Sequence, residues 1–106
     1  MNINAVAMIA AASLMALGVT SAAVAADGAE LYKAKACGTC HGVDAKTPLQ
    51  PMYPKLAGQS ALYTLQQLKD IKEGKRNNGQ TVVMKGIVAA VSEDEMKAIA
   101  EWLSTL

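Results

Sequence analysis

Apolar residues recur at helical spacing in two stretches of the chain, and these predict its main elements. Towards the C-terminus Met96, Ile99, Ala100 and Leu103 form one apolar stripe. It follows Ser92-x-x-Glu95, a capping box, and Glu93 and Asp94 suit the positive start of a helix. In the middle of the chain Ala61, Leu65 and Leu68, flanked by Leu62 and Ile71, predict a helix from Ser60 to Glu73, ended by Gly74. Asp27 is suited to cap a first helix through Ala29–Lys35, a run of good helix formers. Residues 42–58 carry Pro48, Pro51, Pro54 and Gly58, so that stretch reads as a looping connection. Residues 75–80 are a polar loop, and Thr81–Met84 a short apolar run after it. No stretch alternates as a strand does, so the predicted class is all-α.

The N-terminal pattern is of another kind. The first 26 residues hold no Asp, Glu, Lys or Arg and run through Ala, Met, Leu, Val and Ile to small residues before Asp27. This reads as a secretory signal peptide at 1–26, cut before Ala26 or Asp27, with one domain at 27–106. Its departure from the pattern is Met1–Asn4, where the terminal amine is the only positive charge. Roughly 20 apolar residues also span a bilayer, so the alternative is an uncleaved anchor, weakened here by much Ala and little Leu. Export places the expected location in the periplasm.

Composition then raises a question about the core. A chain of 106 residues permits one small domain, which needs a staple to be stable. Phe is absent, and Tyr32, Tyr53, Tyr63 and Trp102 are the only aromatics. Something other than aromatic side chains must fill the middle. Ten basic and nine acidic residues nearly balance, which gives no basis for nucleic-acid binding.

The staple is Cys37-Gly38-Thr39-Cys40-His41, the Cys-x-x-Cys-His signature of covalent haem attachment. Residues 37 and 40 lie one helical turn apart, so both sulfurs face one side and each can add to a porphyrin vinyl group. Gly38 and Thr39 are small enough to admit the ring, and His41 turns a nitrogen toward the iron. The competing readings are a thiol–disulfide pair, a zinc site and a surface cysteine pair beside a chance histidine. The first usually sits at a strand–helix junction, of which there is no sign. The second needs four ligands, and the chain offers two Cys and one His.

A thioether on the opposite face would complete a His/Met site. Met1, Met8 and Met15 fall in the leader, Met96 on an apolar stripe and Met52 between prolines. Met84, in the apolar run after a polar loop, is the preferred ligand; its alternative is a place in the core. Leu56, Leu65, Val83 and Ile87 are the expected walls of the haem. This constellation predicts a one-electron carrier without substrate turnover, one haem c per chain and a monomer meeting protein redox donors and acceptors. The alternatives are a gas-binding or peroxidase-like protein with an open sixth position, and a thiol redox protein using Cys37 and Cys40. Residues 27–88 carry net charge +4 and residues 89–106 net −3. Lys85, Lys35, Lys46 and Lys55, close in sequence to the proposed ligands, could form a basic rim that meets acidic partners.

Four segments together resemble the class I cytochromes c, especially the small bacterial periplasmic cytochrome c-553 group. They are Asp-Gly-Ala-Glu-Leu-Tyr at 27–32, Cys-Gly-Thr-Cys-His-Gly at 37–42, Pro-Lys-Leu-Ala-Gly-Gln at 54–59, and Met84 followed by Ser92-Glu93-Asp94-Glu95. The resemblance implies three main helices and loops wrapped around one haem. It implies that Gly28 and Tyr32 cross the last helix where Ile99 and Trp102 lie. It further implies that the Pro54 carbonyl accepts the other imidazole N–H, that Leu56 packs on the haem, and that Arg76 is a candidate partner for a haem propionate.

Overall fold

The computed structural model describes residues 27–106, and the expected leader at 1–26 lies outside the described residues. Five helical segments follow one another: α1 (Gly28–Ala34), α2 (Gly38–His41), α3 (Ala61–Glu73), α4 (Thr81–Val88) and α5 (Glu93–Ser104). Among the described residues there is no strand, and no helix is long and apolar enough to cross a membrane.

The long helices start where their caps dictate. The Asp27 carboxylate accepts the Ala29 and Glu30 amides at α1, and the Ser60 hydroxyl accepts the Tyr63 amide at α3. Both bonds of the capping box are present at α5: Glu95 N–H to Ser92 Oγ at 3.2 Å and Ser92 N–H to Glu95 Oε1 at 3.0 Å. Gly74, with φ of 77°, takes the left-handed turn that ends α3 and returns its amide to Asp70 and Ile71.

The stripe of α5 is the spine of the core. Met96, Ile99, Ala100 and Leu103 are all buried, and both α1 and α3 pack on this helix. Tyr32, Ala45, Ile71, Val88 and Val91 complete the buried cluster. The α1–α5 crossing is close enough that a Cβ on Gly28 would overlap the Ala98 carbonyl and lie 2.6 Å from Trp102 Cβ. The Tyr32 and Trp102 rings meet there, tilted at 51° with centroids 5.1 Å apart, and Ile99 belongs to the same buried cluster as Tyr32.

α4 is the element that the sequence pattern did not predict. Thr81, Val82 and Val83 are β-branched and Gly86 interrupts the run, so local helix propensity is poor. No side chain caps its start. It is helical through packing: Thr81 and Val88 are buried and the segment lies against α3.

Candidate functional site

The attachment motif occupies a single turn of helix between two left-handed residues. Ala36 (φ 64°) ends α1 and reverses the chain into α2; Gly42 (φ 87°) takes it out again. At Gly42 a Cβ would overlap the Thr47 carbonyl, so the exit requires glycine. Cys37, at the cap of α2, and Cys40 within it are half-buried, unpaired thiols, and His41 is 5% exposed. Burial pushes the Cys37 thiol pKa up, opposite to the depressed pKa that makes a thiol–disulfide nucleophile. Among the described residues no three His, Cys, Asp or Glu side chains gather into a metal cage.

Three contacts hold this turn in place. The Tyr32 hydroxyl donates to the Gly42 carbonyl at 2.5 Å from the α1 side. On the other side the Leu56 and Ala57 amides both donate to the Ala45 carbonyl at 3.0 Å. Ala45 is fully buried at φ 57°, in a turn whose Asp44 carboxylate accepts the Lys46 and Thr47 amides. Those amides hold the Asp44 carboxyl below its ordinary pKa. The 42–47 turn thereby carries the 54–57 segment against the histidine. There Nδ1–H of His41 donates to the Pro54 carbonyl at 2.7 Å, which leaves the Nε2 lone pair free to ligate a metal. The Gly58 amide closes the segment onto α5 through the Leu103 carbonyl at 2.9 Å.

The methionines occupy three different environments. Met96 is 1% exposed inside the core, Met52 is 61% exposed on its loop, and Met84 is partly buried against the edge of the core. On α4, Met84 and Val88 form one row, and Val83 and Ile87, both exposed, form the next. Leu56 and Leu65 also stand partly buried at the core edge. Arg76 is exposed and donates from Nη1 to Gln67 Oε1 at 3.2 Å. With Gly74, Asn77, Thr81, Val82 and Lys85 it lines an open hollow of about 400 Å³. Ala45 and α4 carried no signal that pattern reasoning uses. An alanine in a loop is unmarked in sequence, and a β-branched run announces a strand as readily as a helix.

This donor set fits a covalently held haem. Two free thiols one turn apart suit two thioether links, and the adjacent imidazole has its second nitrogen already committed. A thioether and a row of apolar side chains are carried on a separate helix.

A protein-family model, Cytochrome c, matches residues 25–106. Cytochrome c4 of Pseudomonas aeruginosa is 42% identical over 94 residues, covering 87% of this chain and 45% of that protein. Cytochrome c-553 of Nitratidesulfovibrio vulgaris is 39% identical over 92 residues and covers 87% of each chain. The crystal structure of reduced cytochrome c4 from Pseudomonas stutzeri superposes with a TM-score of 0.68 at 33% identity, over 79% of this chain and 48% of that one. The chain spans about half the length of the cytochrome c4 relatives that it matches. The matching model, these identities and the helical architecture lead to one assignment: the chain belongs to the cytochrome c family, as a small bacterial class I cytochrome with covalently bound haem c.

Proposed function

We propose that the protein is a periplasmic one-electron carrier whose haem is linked to Cys37 and Cys40 and whose iron is held by His41 and Met84. The observation that carries this reading is the buried His41 ring, fixed through Nδ1 by the Pro54 carbonyl immediately after two free thiols. Each thiol would add across one vinyl group, its S–H bond and the vinyl π bond giving way to a sulfur–carbon bond and a C–H bond on the neighbouring carbon. Haem supplies the one-electron Fe(III)/Fe(II) couple, and the chain does the rest. The Pro54 acceptor orients the imidazole and raises its basicity. Met84 offers a thioether, which favours the reduced state relative to a second nitrogen. Leu56 and Leu65, partly buried, with Val83 and Ile87, exposed on α4, would wall the bound haem, exclude water from it and weigh against the oxidised state's extra positive charge. Arg76 is proposed as the partner of a propionate.

Residues 1–26 serve in this reading as the export signal, and residues 27–106 as the working domain. The protein turns over no substrate and meets its donor and acceptor as a monomer. Lys35, Lys46, Lys55 and Lys85 are proposed to form a basic rim facing acidic partners. Encounters of this kind are small and steered by charge, so donor-to-acceptor rates should fall as salt rises. Rates that stay flat would remove the rim from the account.

The test is to purify the exported product from a host that matures such proteins. Expected are a mass one haem above the polypeptide, pigment that survives a denaturing gel, and a weak near-infrared sulfur-to-iron band absent in Met84→Ala. A colourless product of bare polypeptide mass would overturn the reading. Ready uptake of carbon monoxide by the reduced wild type would replace it with an open sixth position.

A further inference from the structure

α4 is lightly held for an element that carries a ligand. Only Thr81 and Val88 along it are buried, its helix partner is α3, and no side chain caps its start. Its exit is another matter. After Val88 the chain turns through 89–91 into the α5 cap at Ser92, and the last carbonyls of a helix and its turn have no partners within the helix. Two ammonium groups supply them from opposite sides. Lys72, in the last turn of α3, donates from Nζ to the Val91 carbonyl at 2.6 Å in a partly buried setting. Lys35, the residue that caps α1, donates to the Ala90 carbonyl at 3.2 Å and pairs with Glu95 at 3.4 Å. Lys69, one turn before Lys72, reaches instead to the exposed Glu93 carboxylate at 3.1 Å.

We propose that Lys72 is a positioning residue for Met84, a strut that fixes the corner after α4 to the end of α3 and so holds the sulfur at its working distance. The inference rests on Met84 being the sixth ligand. Val88 and Met84 share a row of α4, so a corner that slips carries the whole row with it. The bond is charge-assisted and 2.6 Å long, the kind whose loss is felt. Lys69 makes only an exposed pair, of small value. Two lysines three residues apart on one helix therefore have different tasks: Lys69 decorates the surface and Lys72 sets the ligand.

The experiment uses the mature haem protein and the variants Lys72→Met and Lys69→Met. Both are heated while the near-infrared sulfur-to-iron band and the far-ultraviolet helix signal are recorded. A general loss of stability lowers both midpoints together. Release of the ligand alone lowers the band and widens the gap between them, which is expected for Lys72→Met and not for Lys69→Met. Carbon monoxide, which must displace the sulfur, should bind reduced Lys72→Met about tenfold more tightly than wild type. Should Lys72→Met fail to accumulate, Lys72→Gln carries the same expectation, being neutral and one bond shorter. An unchanged gap, or an equal widening in Lys69→Met, overturns the strut. A wild-type protein without the band overturns instead the assignment of Met84, and the strut with it.

Discussion

His41 and Pro54, thirteen residues apart, are joined by a 2.7 Å hydrogen bond from the imidazole Nδ1–H to a main-chain carbonyl. Because the acceptor is backbone, the side chain at 54 can change without removing it. Pro54→Ala should keep haem attachment and move the reduction potential little. It should cost about 0.5–1 kcal/mol through greater freedom of the unfolded chain. Denaturant midpoints and redox titration of the two proteins check this. A large fall in potential would mean that the ring of Pro54, and not its carbonyl, orients the histidine.

Gly28 is the tightest point of the α1–α5 crossing. Gly28→Ala places a methyl group against backbone at Ala98, which cannot rotate away. The expected cost is about 2 kcal/mol, read as a lowered thermal midpoint. The Tyr32–Trp102 ring pair should report the same displacement in near-ultraviolet dichroism.

The capping box makes acid stability depend on Glu95. The Ser92 amide, aided by the Ser92 hydroxyl and Lys35, holds the Glu95 carboxyl below its ordinary 4.5. A depressed folded value means that its contribution is complete above about pH 4.5 and is lost as pH falls through the folded value. Glu95→Gln should flatten that part of the pH–stability curve while leaving it unchanged in slope above pH 6. Ser92→Ala should cost about 1 kcal/mol at neutral pH.

Tyr32 gives the matching prediction at high pH. Burial, with lesser contributions from Cys37 and Asp44, pushes its pKa from 10.0 up to about 12. A raised value adds stability below pH 10 that is lost as pH rises towards 12. Ultraviolet titration should therefore resolve one tyrosine ionising late, absent in Tyr32→Phe. That variant also loses the donor to the Gly42 carbonyl, at a cost of about 1 kcal/mol.

Ala36 is an exposed alanine at φ 64°, a conformation that costs an L-residue roughly 1 kcal/mol. Ala36→Gly should stabilise the mature protein by up to about 1 kcal/mol, measured from the denaturant midpoint, with unchanged visible spectrum.

Legibility differed from element to element for physical reasons. α3 and α5 could be read because their local signals agree: the Ser60 cap, apolar spacing and Gly74 stop for one, Ser92-x-x-Glu95 and the Met96–Leu103 stripe for the other. α4 could not, because a β-branched run around Gly86 becomes helical only when packed on α3. In the site, Cys37, Cys40 and His41 carry chemistry in their residue types and spacing. The Pro54 acceptor is main chain and invisible to such reading; only resemblance pointed to it. Ala45 and Lys72 act through a buried carbonyl and a long-range ammonium contact, neither of which leaves a local pattern.

The bonds around α2 and the proposed Met84 link differ in the length of chain that they close. Tyr32 to Gly42, His41 to Pro54 and Ala45 to Leu56 all close short loops within the first half of the described chain. In the proposed ligation Met84 is brought back across 43 residues, and closing that longer loop costs about 1 kcal/mol more than closing the thirteen between His41 and Pro54. The contacts around His41 therefore cost less chain entropy to close than the one that would bring α4 to the same site.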